Sequence, residues 1–159
     1  MIKITLVAMG KLKESFLRDA AAEYKKRLSR YCSLEIVEID AIKLSEKPSI
    51  QEINTALEKE AALIIKKIPQ NSEVVTLCVE GKEFSSEDFA RKIDGNVSGG
   101  KNITFIIGSS YGLSESVKKL STIKLSISKM TFPHQLFRVM LLEQIYRAFK
   151  INEGSTYHK

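Results

Sequence analysis

The chain has no tryptophan, only three prolines, two cysteines and two histidines. Each shortage excludes something. Cys32 and Cys78 are far apart and have no C-x-x-C spacing. That argues against a disulfide framework and, with so few histidines, against a zinc site. Reduced thiols in the cytoplasm and no metal are the expectation. No apolar run approaches the roughly 20 residues a membrane helix needs, so no membrane contact is expected. Ile4–Met9 is too short, and too soon followed by charge, for a secretory leader. Neither G-x-x-x-x-G-K-[ST] nor G-x-G-x-x-G occurs, so nucleoside triphosphates and dinucleotides lack their usual signal.

What is present is charge, unevenly placed. The net charge is +6. Residues 1–30 carry eight Lys/Arg against three acids, residues 31–100 eight against thirteen, and residues 101–159 nine against three. Two basic ends around an acidic middle suggest a polyanion-binding surface built from the termini. A solvated basic face fits the same composition nearly as well.

The hydrophobic pattern alternates between strand and helix. Lys3–Ala8, Leu34–Ile39, Val74–Val79, Ile103–Ile107 and Ile123–Ile127 read as strands, the third stopping at Glu80-Gly81 and buried on both faces. Between them, helices are predicted over Ser15–Ser29, from a capping box at Ser49/Glu52 to Ile68, from Ser85/Asp88 to a glycine-rich decay at Gly95, and near Ser114–Leu120. Such alternation predicts a parallel α/β sheet flanked by helices in a single domain of residues 1–159. Ligands then bind beyond the C-terminal strand ends, here Leu77–Gly81, Gly108–Gly112 and Ile127–Phe132.

The last stretch, Ser126–Lys159, organises the rest. A helix is predicted to enter at Pro133, which suits a first turn, and to run to about Asn152, with Gly154 ending it. Apart from a narrow stripe of Glu143, Arg147 and Lys150 it is apolar all round, which predicts cover on two sides. A second subunit is a candidate for one of them. His134 and Arg138 share a face, and Arg138 falls among apolar residues, where its guanidinium must find an anion. Spacing alone fits a structural ion pair as well as a ligand contact.

This stretch also carries a resemblance. The run Ser128-Lys129-Met130-Thr131-Phe132-Pro133-His134-Gln135, then Arg138, then Glu143-Gln144-Ile145-Tyr146-Arg147-Ala148, ending Tyr157-His158-Lys159, closely resembles the RlmH family. Those are small SPOUT-type methyltransferases acting on ribosomal RNA, and the likeness runs from the first strand to the last residue. The resemblance implies a C-terminal trefoil knot holding S-adenosyl-L-methionine, with contacts at Leu77, Gly108 and Ile127, Ser128, Lys129, Met130, Thr131 and Phe132. It implies a homodimer that methylates N3 of pseudouridine 1915 of 23S rRNA in the assembled 70S ribosome, without a metal. His134, Arg138, Tyr157 and His158 are then the candidates for substrate positioning or proton handling. In one respect the chain departs from the family, which usually has two glycines after the fourth strand. Here the second is Ser109, whose Cβ is expected to crowd the cofactor or resist a positive φ.

Two other readings compete. Gly108-Ser109-Ser110-Tyr111-Gly112 fits G-x-S-x-G, the nucleophile elbow of a serine hydrolase, with Glu143 or Glu153 and His158 completing a triad around Ser110. A non-catalytic ribosome-binding protein that has lost cofactor affinity through Ser109 is the other.

Overall fold

The computed structural model describes residues 1–159. In chain order the elements are β1 (Lys3–Met9), α1 (Ser15–Leu28), β2 (Ser33–Ile39), α2 (Ile50–Ile65), β3 (Ser72–Glu83), α3 (Ser86–Ser98), β4 (Asn102–Ile107), α4 (Glu115–Lys118), β5 (Ile123–Ser126) and α5 (His134–Asn152). The five strands form one sheet in the order β2-β1-β4-β3-β5, every neighbour parallel. The alternation therefore produces the doubly covered parallel sheet that it predicts.

Strand side chains sort onto two faces because successive Cβ atoms alternate. From β1, Ile4, Leu6 and Ala8 join the larger core with Phe105 and Ile103 of β4 and residues of α1, α3 and α5. Val7 and Met9 point the other way, with Ile106, into a smaller core closed by Ala61 and Ile64 of α2 and Val117 of α4. No helix is long and apolar enough to cross a membrane.

Helix starts follow the capping residues. Ser49, Ser85 and Ser114 each accept a backbone N–H from the residue three further on, so three helices begin where a serine satisfies an orphan donor. Pro133 differs from its expected place: it is the N-cap of α5, with an extended ψ of 131°, and the first helical residue is His134. At the other end, Gly154 at φ +73° lets Ser155 N–H reach Lys150 O and Gly154 N–H reach Ile151 O, both at 3.0 Å. That is the paired closure by which a left-handed residue ends a helix.

Two elements depart from the sequence reading. α3 runs through Gly95 to Ser98 rather than decaying, because Asn96 is buried and donates to Glu73 Oε2 at 2.7 Å. β3 does not stop at Glu80-Gly81. It leaves β4 after Thr76, shifts register between Leu77 and Lys82, and continues along β5 to Glu83. Gly81 makes this passable, since a Cβ there would lie 2.5 Å from Lys124 O. Val79, expected to be buried, is half exposed where the strand peels away. That peeling opens the site.

Candidate active site

Beyond the ends of β3, β4 and β5 lies a cavity of about 510 Å³. Its walls come from three loops and the first turn of α5: Leu77–Glu80, Ile107–Leu113, Leu125–Ser128 and Thr131–His134. The size suits a small molecule, and the strand ends supply free backbone N–H and C=O groups to orient one. Of the eight residues expected to bind cofactor, Leu77, Gly108, Ile127, Ser128, Thr131 and Phe132 line it. Lys129 and Met130 do not: they form an exposed tip, turned outward where Met130 N–H donates to Ser128 Oγ at 3.0 Å. Phe132 meets Phe137 edge-on at 5.5 Å, which ties this loop to α5.

The loop after β4 is closed on itself. Gly112, at φ +85°, donates its N–H to Ser109 O at 2.8 Å, and a Cβ at Gly108 would run into the Gly112 carbonyl. The feared strain at Ser109 is absent. Asn71 is the sole non-glycine residue with positive φ, so Ser109 carries its Cβ in an ordinary conformation. Its Oγ turns toward α2 and donates to Glu60 Oε1 at 2.9 Å.

The four candidates for positioning and proton handling do not converge within one chain. His134 lines the cavity. Its imidazole makes no side-chain hydrogen bond, and its pKa lies below the usual 6.5, first through burial and then through the nearby charges of Arg138 and Lys13. Arg138 is only 2% exposed and does not line the cavity. Its Nη1 pairs with Glu38 Oε2 at 2.5 Å, its Nη2 donates to Gly10 O at 2.9 Å, and its Nε has no partner. Of the two roles its spacing allows, the geometry is that of a structural ion pair joining β1, β2 and α5.

Tyr157 and His158 lie against the far part of α5. Tyr157 OH donates to Glu143 Oε1 at 3.1 Å, which by helical rise is about 13 Å along the helix from His134. Burial first, and then Glu143, push the phenol up to about 12, so it stays protonated at neutral pH. His158 places Nδ1 3.2 Å from Arg147 and Nε2 2.7 Å from Glu87. This also leaves the hydrolase triad unassembled: Ser110 is exposed at the cavity and hydrogen-bonded to no base, while His158 is engaged elsewhere.

Sequence reasoning missed the charged rim. Glu80 and Lys118 both line the cavity and are paired at 2.6 Å. Lys118 holds the Glu80 carboxylate below its usual range through that hydrogen bond. The signal was faint, one acid before a glycine and one lysine in a four-residue helix. No cluster of histidine, cysteine and carboxylates has metal-binding geometry.

The family described as "Predicted SPOUT methyltransferase" matches residues 2–158. The class is therefore that of the SPOUT methyltransferases. Curated relatives narrow it. The ribosomal RNA large subunit methyltransferase H of Clostridium acetobutylicum is 52% identical over 159 residues, spanning 99% of this chain and 100% of its own. The enzyme of the same name from Clostridium perfringens strain 13 is 51% identical with the same coverage. The chain belongs to the RlmH family, the ribosomal RNA large subunit methyltransferases H. Among solved structures, a methylase family protein of Neisseria gonorrhoeae has a TM-score of 0.50 at 9% identity over 99% of this chain and 86% of that one, a likeness of fold alone.

Proposed function

We propose that the protein is a cytoplasmic homodimer that methylates N3 of pseudouridine 1915 in 23S rRNA of the assembled 70S ribosome. All 159 residues would act as one domain, the C-terminal segment threaded as a trefoil knot, without a metal. One observation carries the reading. The cavity formed by the three strand-end loops opens beside His134, a neutral imidazole with no hydrogen-bonded partner.

S-adenosyl-L-methionine fits the walls. Leu77, Ile107, Leu113, Leu125 and Ile127 offer apolar surface for an adenine, and the Glu80–Lys118 pair is complementary to an ammonium and a carboxylate. When bound it would supply an electrophilic methyl group on a sulfonium, so the protein need not activate the donor. The chain's task is to hold the acceptor nitrogen in line and receive its proton. We assign that proton to His134, which lines the cavity and whose imidazole, neutral at pH 7, has a ring nitrogen free to accept.

Support for an RNA substrate comes from the β1–α1 loop, which enters this same edge. Lys11 and Lys13 are exposed and have no carboxylate partner. The Arg18 guanidinium donates to the carbonyls of Leu12 and Lys13, and Lys13 N–H donates to Gln135 Oε1, so the loop is held against the start of α5. Phe16 beside them is 66% exposed, an aromatic face near free ammonium groups. Phosphate neutralisation by lysine and stacking on an aromatic ring are sequence-tolerant RNA contacts. Support for a dimer comes from α5, where Leu136, Val139, Met140 and Ile151 remain partly exposed.

The test is transfer of label from methyl-labelled S-adenosylmethionine to ribosomes lacking the modification, followed by mapping. Label at N3 of that single pseudouridine is expected. Saturable cofactor binding without label on rRNA would redirect the search to another substrate.

A further inference from the structure

The loop after β4 is a wall with two sides. One side faces the main cavity; the other, at Ser109, Ser110 and Tyr111, faces a second hollow of about 240 Å³ bounded by α2 and the Ile42–Ser45 segment. Glu60 of α2 stands in that hollow, only 3% exposed. Its two carboxylate oxygens have separate partners. Oε2 accepts Ile42 N–H at 3.1 Å, and Oε1 accepts Ser109 Oγ–H at 2.9 Å. A carboxylate so deeply buried needs both donors, because an unmet lone pair keeps the full cost of its lost hydration.

The Ser109–Glu60 bond is the one side-chain hydrogen bond made by residues 108–112. The loop's other restraints are the internal Gly112-to-Ser109 closure, the contact that excludes a Cβ at Gly108, and Leu113, which packs at the loop's end into the smaller core. Internal restraints fix the loop's shape but not its position relative to the rest of the fold. Leu113 fixes the loop's far end, and the bond to Glu60 is the polar tether that fixes its middle, since α2 is itself anchored through Ala61 and Ile64 in the smaller core.

We propose that Ser109 and Glu60 are positioning residues for the cofactor: their hydrogen bond sets how far the Gly108–Gly112 wall stands from the opposite wall at Ile127–Phe132. The inference rests on the reading of the main cavity as the S-adenosylmethionine site. It reverses the expectation drawn from sequence, in which Ser109 crowds the cofactor. With glycine at 109, Oε1 of Glu60 would lose its donor and the wall its tether.

The experiment is calorimetric titration of the full-length protein with S-adenosylmethionine, comparing the wild type with Ser109→Ala, Ser109→Gly and Ser109→Thr. Ser109→Ala and Ser109→Gly should each weaken binding about tenfold, and Ser109→Thr, which keeps the hydroxyl, should restore it to within about twofold. In turnover assays KM for the cofactor should rise, with kcat at saturation and KM for ribosomes unchanged. In a Glu60→Leu background, Ser109→Ala should have no further effect. Wild-type affinity in Ser109→Ala, or tighter binding in Ser109→Gly, overturns the proposal and leaves the cofactor reading intact. No saturable binding by the folded wild type overturns both. If Glu60→Leu does not fold, the contrast between alanine and threonine at 109 decides alone.

Discussion

The two ends of α5 are built on opposite plans. At the C-terminal end nearly every polar group is answered: Glu143 takes Arg147 and Tyr157, Arg147 also meets His158, His158 reaches Glu87, and the Arg147 guanidinium lies 4.8 Å from the Tyr157 ring centre. At the N-terminal end His134 faces a cavity with no hydrogen-bonded neighbour, and Lys13 close by has no carboxylate. Polar groups that answer one another make structure; those left open at a cavity wait for a ligand. By this rule the richest network on the helix is the part least suited to chemistry within its own chain. Arg138 sits between the two ends and belongs with the first kind.

The contrast is broken most directly at His134. His134→Ala should lower methyl transfer by about 10²–10⁴-fold, the range for loss of a positioned base, with the unfolding midpoint nearly unchanged. Transfer within threefold of wild type would put the base elsewhere. Arg138→Ala should do the reverse. It removes a buried side chain, leaving a cavity and the Gly10 carbonyl without its donor while the exposed Glu38 rehydrates, so stability should fall by about 2 kcal/mol in a denaturant titration. Full stability with lost transfer would move Arg138 back to the site.

Smaller effects sharpen the picture. Tyr157→Phe removes one hydrogen bond to a carboxylate and should cost about 1 kcal/mol, without altering cofactor affinity. A change in affinity and none in stability would contradict the docked tail. Acid gives the mildest probe. Because the folded pKa of His134 lies below 6.5, the neutral ring persists as pH falls through 6.5, and kcat should hold there before declining. The unfolded chain takes up that proton first, so folded stability should slip as pH drops through the same range. An acid limb of kcat centred at or above 6.5 would assign the titration to another group.

How much of this could be read from the chain follows the range of each interaction. The alternation of strands and helices, the serine caps at 49 and 85 and the closing Gly154 are local, and their residues announce them. The loops that form the cavity were legible too, because a parallel sheet places every strand's C-terminal end on one edge. What stayed hidden is partner choice across the fold. Nothing near Arg138 points to Glu38, far away in sequence, and nothing near Ser109 points to Glu60. The same holds for β3: Gly81 reads as a stop until β5 is seen to pass beside it. The tail was placed by analogy with the cavity, and its docking on Glu143 and Glu87 comes from contacts the linear chain does not reveal.

The closure at Gly154 also acts as a ruler. The stretch Ser155–Lys159 beyond it, fully extended, spans at most about 17 Å. The 19-residue helix before it is about 28 Å long, with the cavity at its other end. Undocked or not, Tyr157 and His158 cannot reach the cavity at the start of their own helix. A tail that did so would have to belong to a second copy whose α5 runs antiparallel to the first, so that each helix's end lies beside the other's beginning. Two-fold symmetry would then make the arrangement reciprocal, and one short peptide would join the making of a dimer to the completion of two sites.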